Sequence, residues 1–176
     1  MRIHILGASG SGTTTLAADL AKKLGLQHFD SDDYFWINSE IPFQKKRERQ
    51  QRKKLLADDL KHNENWILSG SICGWGDDFI EMFDLVVYLW LPAQVRLQRL
   101  EEREIKRHGD LINLGGLMYQ AHKDFMLWAS KYDHGGIDMR SKVFHESWLR
   151  KVPCKIIKIQ GDFQRSERLE KVMSQL

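Results

Sequence analysis

The chain has 176 residues, of which 42% are hydrophobic, and its 27 lysines and arginines against 24 acidic residues leave a net charge of +3. That length predicts one domain with a real core and excludes two independent enzyme domains, while the composition excludes a disordered chain. The small positive excess suits anionic small molecules as well as nucleic acid and selects neither.

In chain order, Ile3 to Leu6 is a short apolar run followed at once by glycines, and Leu16, Ala17, Leu20, Ala21 and Leu24 then recur at helical spacing. This predicts strand, loop, helix, with Gly25 as a C-terminal cap. Leu26 to Phe29 reads as a second strand ending in the carboxylates Asp30, Asp32 and Asp33. A charged helix is expected over 43–61, with Leu55, Leu56 and Leu60 on one face, and a third strand over Trp66 to Leu68 closes on Ser69-Gly70-Ser71. Leu85 to Leu91 is apolar without alternation, as a parallel strand buried on both faces requires, and so belongs near the sheet centre. Helices follow after Pro92 to about Arg107, over Leu117 to Tyr132 and over Ser141 to Lys151. Ile156, Ile157 and Ile159 form a last strand before a C-terminal helix. Strands alternating with helices give an α/β fold with a parallel sheet.

No membrane partner is expected, because the longest apolar stretch falls far short of the roughly 18 residues of a span. Cys73 and Cys154 show no CxxC spacing, and the N-terminal MRIHILG runs straight into a strand and glycine turn, so a reducing cytoplasm without a secretory leader is expected.

The segment Gly7-Ala8-Ser9-Gly10-Ser11-Gly12-Thr13-Thr14 fits GxxxxGK[ST] at both fixed glycines and the final hydroxyl, directly after a strand and before a helix. Glycines are needed there so that consecutive N–H groups can wrap a phosphate, and the helix N-terminus adds positive potential. Gly7, Ser9, Gly10, Ser11, Gly12, Thr13 and Thr14 are therefore candidate ATP-binding residues, with Thr14 a magnesium ligand. The alternative is a ligand-free turn between strand and helix. Thr13 stands where the pattern has lysine, so the charge needed for phosphoryl transfer must come from magnesium and from arginines elsewhere.

Parallel strands present their C-terminal ends on one edge, which places Asp30, Asp32 and Asp33 beside this loop. Asp30 is assigned to the metal and Asp32 to the acceptor hydroxyl, with Asp33 also on the substrate side; an Asx-type helix cap is the other reading. Gly70 and Ser71 end the third strand at the same edge as candidate substrate contacts, although a plain turn explains them too. Trp36 and Trp75 are placed to stack on a flat substrate or to pack against the domain. Arg96, Arg99 and Arg103 recur on one helix face, continued by Arg107; Arg99 and Arg103 are the candidates to replace the missing lysine, against the reading of a solvated helix. His108 to Gly116 has the glycine content of a closing lid. The basic run Lys45 to Lys54 reads as a phosphate-binding face, a nucleic-acid patch or a solvated helix; it has no interleaved aromatics, so nucleic acid is not the expected partner.

GASGSGTTTLA, HFDSDDYFW, NWILSGS, FDLVVYLWLP followed by RLQRLEER, and IKIQGD before the last helix resemble the adenylate-kinase-related small-molecule kinases, in particular the branch of topology-modulation proteins and shikimate-kinase-like enzymes. The resemblance implies a P-loop NTPase fold of three layers, with five parallel strands in the order 2-3-1-4-5. It implies a single domain over 1–176, a substrate-binding region at 34–64 and a lid at 103–117. It also assigns magnesium to Asp30 and the acceptor hydroxyl to Asp32, and places Gly161 in the adenine-contacting loop; Arg103, from the arginine row, is a further candidate nucleotide contact. The activity implied is ATP- and Mg2+-dependent transfer to a small-molecule acceptor, a nucleoside or nucleotide among the candidates, by a monomer or homodimer. The competing reading is a nucleotide-binding regulatory protein that has lost efficient transfer along with the lysine. Ser69-Gly70-Ser71 lacks the triple glycine of shikimate kinases, which argues against shikimate itself.

Overall fold

The computed structural model describes residues 1–39 and 41–176. Five parallel strands form one sheet in the order β2-β3-β1-β4-β5, as the resemblance implied. They are β1 (Arg2–Gly7), β2 (Gln27–Asp30), β3 (Trp66–Ser69), β4 (Leu85–Trp90) and β5 (Lys155–Gln160). The helices are α1 (Thr13–Leu24), α2 (Ser31–Phe35), α3 (Arg49–Leu60), α4 (Ala93–His108), α5 (Tyr119–Ser130), α6 (Lys142–Leu149) and α7 (Arg165–Met173).

Alternation along the strands divides the core in two. Ile3, Ile5, Ile67, Leu85, Val87 and Leu89 face α1 and α7, where Leu16, Ala17, Leu20 and Val172 complete the packing. Leu6, Trp66, Leu68, Val86 and Tyr88 face the opposite side, against Leu56 and Leu60 of α3 and Trp148 of α6. The sheet is thus covered on both faces, which is why β4 needs an unbroken apolar run. His4 also points to the second face. It is fully buried, stacked on Phe83 at 4.9 Å and edge-on to Trp148.

Two boundaries depart from the sequence expectation. The helix expected from Phe43 begins at Arg49, because Pro42 and the left-handed Phe43 (φ 62°) form a turn, Lys46 then bridges back to Trp36, and Glu48 caps the helix by accepting from the Gln51 amide. The acidic cluster read as the end of the second strand runs into a short helix after Asp30, as the helix-cap reading allowed, but the cap is Asp30 itself, its Oδ1 accepting from the Asp32 amide at 3.0 Å. Among the described residues no helix is long and apolar enough to cross a membrane.

Candidate active site

β1 delivers the chain into a tight loop whose return is closed by Ser11 N–H donating to Ala8 C=O at 3.1 Å. Gly12 has φ 89°, a left-handed conformation that disfavours any side chain, and a Cβ there would also collide with the Arg168 guanidinium. α1 starts at this point with no side-chain cap and no acidic residue in its first turn. The amides of Gly10, Gly12 and Thr13 have no protein acceptor among the described residues. Open N–H groups at the positive end of a helix form a ready anion site.

The loop forms one wall of a cleft of about 1840 Å³. That cleft gathers Gly7, Ser9, Gly10, Gly12, Thr13, Thr14, Asp30, Asp32, Asp33, Trp36, Gly70, Ser71, Arg99 and Arg103, residues singled out from sequence. Ser11 and Gly161 do not line it. The Ser11 side chain is buried without a partner, so this residue has only its backbone to offer. Gly161 (φ 123°) ends β5, its N–H donating to Trp90 C=O at 3.0 Å.

Asp30 joins the two sides of the cleft. Its Oδ2 accepts from Thr14 Oγ1 at 2.8 Å and from Ser69 Oγ at 3.0 Å, and Ser69 Oγ in turn meets His28 Nε2 at 2.9 Å. The two residues assigned to the metal are therefore adjacent. Among the described residues no group of three or more His, Cys, Asp or Glu is assembled to cage a metal. A threonine hydroxyl with one carboxylate is a hard-oxygen donor set that fits Mg2+, an ion that keeps several waters and takes its remaining ligands from substrate phosphates.

Asp32 stands on the cleft floor. Its side chain is exposed, yet the protein around it strips part of the water that would solvate its charge; that desolvation, then the neighbouring Asp30, raises its carboxyl above the usual range, and Arg140, Trp36 and Arg103 offset part of the rise. Asp33 is raised for the same two reasons, with His28 opposing. A carboxylate made more basic in this way is better suited to accept a hydroxyl proton.

The arginine row is split by the fold. Arg96 is fully buried, its Nη2 donating to Asp133 Oδ2 at 2.7 Å and its guanidinium 4.9 Å from the Tyr132 ring centre. It braces α4 against the segment after α5 and lies outside the cleft. Arg99 reaches the cleft paired with Asp162 (2.6 Å), Arg103 lines it while bonded to Glu104 (3.0 Å), and Arg107 lines it as well. In the basic run, Arg47 donates to the carbonyls of Tyr34 and Trp36, Arg52 sits 3.8 Å over the Phe35 ring, and Lys53 pairs with Asp78. Arg47 and Arg52 thus hold the segment 34–36 in shape and Lys53 ties α3 to the segment after β3, while Lys45, Lys46, Arg49 and Lys54 stay exposed.

Gly70 (φ 86°) packs so closely on Ser31 that a Cβ would clash, which explains the glycine as a turn requirement. Trp75 is buried, its indole N–H donating to the Ser71 carbonyl at 3.2 Å, and so packs against the domain while still edging the cleft; Trp36 is half-exposed against Phe35 and Phe43. Ser71 heads a buried chain of hydrogen bonds. Its Oγ meets His145 Nε2 at 3.0 Å, His145 Nδ1 meets Tyr132 OH at 2.9 Å, and Tyr132 OH meets Tyr88 OH at 2.8 Å. Burial, then the charge of Arg140, holds His145 down to about 3, so it is neutral. Tyr88 has no other partner among the described residues, so a chain donating from Tyr88 toward Ser71 pairs the hydrogens of Tyr88, Tyr132 and His145 and leaves only the Ser71 hydrogen outside it.

Sequence reasoning missed His145, Arg140 and Arg168. Arg140 lines the cleft with no hydrogen-bond or ion-pair partner among the described residues, 5.9 Å from the Trp128 ring centre. Each is an unremarkable residue of a late segment; the fold brings His145 to Ser71, Arg140 to the cleft and Arg168 to the loop.

A parallel sheet of this order, with a phosphate loop after β1 and carboxylates after β2, defines a P-loop kinase fold. Residues 3–113 match a family model described as an AAA domain, and the chain belongs to that family. It is 48% identical over 174 residues to the uncharacterized protein YqaC of Bacillus subtilis, covering 99% of this chain and 96% of that one. It is 32% identical over 117 residues to a cytidylate kinase of Archaeoglobus fulgidus, covering 60% of this chain and 63% of the relative. Among solved structures it resembles a deoxyadenosine kinase of M. mycoides with bound dATP (TM-score 0.62, 16% identity, 99% and 98% coverage). It also resembles a shikimate kinase of Acinetobacter baumannii in complex with shikimate (TM-score 0.58, 18% identity, 99% and 91% coverage). The structural likenesses carry the fold.

Proposed function

We propose that this protein is an ATP- and Mg2+-dependent phosphotransferase acting on a small hydroxyl or phosphate acceptor, with residues 1–176 as one kinase domain. The observation that supports this most is that the open amides of Gly10, Gly12 and Thr13 share one cleft with the Thr14–Asp30 pair and Asp32. Gly7 to Thr14 would hold the triphosphate, and Thr14 with Asp30, through water, would hold magnesium, which supplies neutralisation of phosphate charge. Asp32 would accept or orient the acceptor hydroxyl proton, and Arg99 and Arg103 would offset the charge that Thr13 cannot. Asp33, Trp36, Gly70 and Ser71 would face the acceptor, Gly161 the adenine.

The acceptor region is taken as 34–64, of which residue 40 lies outside the described residues, and the lid as 103–117. Phe35, Trp36 and Phe144 beside the unpaired Arg140 suit a flat acceptor carrying an anionic group, such as a nucleoside monophosphate. A monomer or homodimer in the cytoplasm fits this reading, as do the two free cysteines.

Thr13 favours one second reading, a nucleotide-binding regulatory protein without efficient transfer. Labelled ATP with magnesium and a panel of cytidine and deoxycytidine monophosphates, deoxyadenosine, shikimate and other hydroxy acids separates the two. The kinase reading expects acceptor-dependent ADP release. Tight ATP binding with no such release across the panel would sink it.

A further inference from the structure

Arg168 on α7 reaches back across the P-loop. Its Nη1 donates to the Ser11 carbonyl at 3.1 Å, and its guanidinium fills the space over Gly12 that a Cβ would need. The residue is only 7% exposed and lines the cleft, yet its Nε is buried without a partner, and no carboxylate bonds to it among the described residues. The two nearby acids are already engaged, Asp19 by Arg165 and Asp162 by Arg99. Burial and then the charge of Arg99 weaken its hold on its proton, with Asp162 and Asp19 compensating only in part. A buried cation is normally paired. This one is half-paired, to a neutral carbonyl, at a helix N-terminus that already attracts anions.

Resting on the kinase reading above, we propose that Arg168 is a phosphate-binding residue of the nucleotide site. The strand order puts β4, β5 and α7 on one side of β1, and Asp30, Asp32 and Ser69 to Ser71 on the other. Arg168 therefore meets the nucleotide from the side away from the acceptor. It strengthens ATP and ADP binding alike, a uniform binding contribution that leaves the transfer step to groups on the acceptor side. This differs from the role of the absent lysine and explains how the loop can keep affinity without it.

The test uses the full chain with Arg168→Met and Arg168→Lys, titrating ADP and adenosine by calorimetry and checking the apo fold of each variant by circular dichroism. Loss of one charge-assisted contact should weaken ADP about tenfold or more in the Met variant, while Lys, which keeps the charge, should stay within about threefold of the parent. Adenosine, which has no phosphate, should bind equally to all three. ADP affinity unchanged in the Met variant overturns the proposal. So does an equal loss in both variants, which would mean that the guanidinium only braces the loop. Arg168→Gln replaces Met if that variant does not fold. If the parent chain itself does not bind ADP, the kinase reading falls; if it binds and the Met variant matches it, only the role of Arg168 falls.

Discussion

Acidification should destabilise this fold earlier than its carboxylates alone would. Two buried histidines are held neutral: His4 is lowered to about 4 by burial, against the opposing hydrogen bond to Leu68 C=O, and His145 is lowered to about 3 by burial and Arg140. In the unfolded chain both return to about 6.5. Between these values the unfolded state takes up protons that the folded state refuses, so stability present above the unfolded value drains away as pH falls toward the folded ones. Each histidine costs up to about 1.4 kcal/mol per pH unit, or about 4 kcal/mol for the pair between pH 7 and pH 5. That is a large share of the roughly 5–15 kcal/mol of a typical domain. His28, lowered by burial, acts in the same direction; Asp32 and Asp33, raised in the folded state, oppose the loss at the acid end of the window. Urea unfolding of the wild type and of His4→Phe at pH 7, 6 and 5 measures this. The variant keeps the stack on Phe83 and should show about half the acid loss. A midpoint flat from pH 7 to 5, or a slope identical in the variant, would refute the assignment of the loss to these rings.

Tyr132→Phe removes the middle hydroxyl of the Ser71–His145–Tyr132–Tyr88 chain and should cost about 1–3 kcal/mol in thermal or urea unfolding; it should also raise the acceptor KM while ADP affinity stays constant, and an unchanged KM would leave the chain a purely structural one. Asp32→Asn keeps the shape of the cleft floor and should lower kcat about 10²–10⁴-fold with ATP binding intact, read by steady-state kinetics on whichever acceptor the panel yields. Asp133→Asn strips the partner from fully buried Arg96 and should cost about 3–5 kcal/mol by chemical denaturation, without altering ADP affinity.

The loop, the central strand and the edge where carboxylates meet phosphate were legible in the sequence because each rests on local spacing: glycines at fixed offsets, an apolar run without alternation, acids just past a strand. The strand order was legible only through resemblance. Helical periodicity correctly put Arg96, Arg99 and Arg103 on one helix, but periodicity gives a face and not what it meets, and the fold turned Arg96 into the core. The start of the helix at Arg49 depends on a turn at the left-handed Phe43 and on Lys46 bridging back to Trp36, neither of which residue identity signals. Arg140, His145 and Arg168 come from the last third of the chain, and their proximity to Asp32, Ser71 and Gly12 exists only after the sheet has formed.

If the amides of Gly10, Gly12 and Thr13 hold the triphosphate although the lysine is absent, those amides must respond to nucleotide directly. Amide proton and nitrogen shifts, followed by two-dimensional NMR as Mg2+ and a non-hydrolysable ATP analogue are added, report on those groups one by one. Large downfield shifts at Gly10, Gly12, Thr13 and Thr14, saturating together, are the predicted result. Binding that leaves these amides unmoved and perturbs another surface would contradict it.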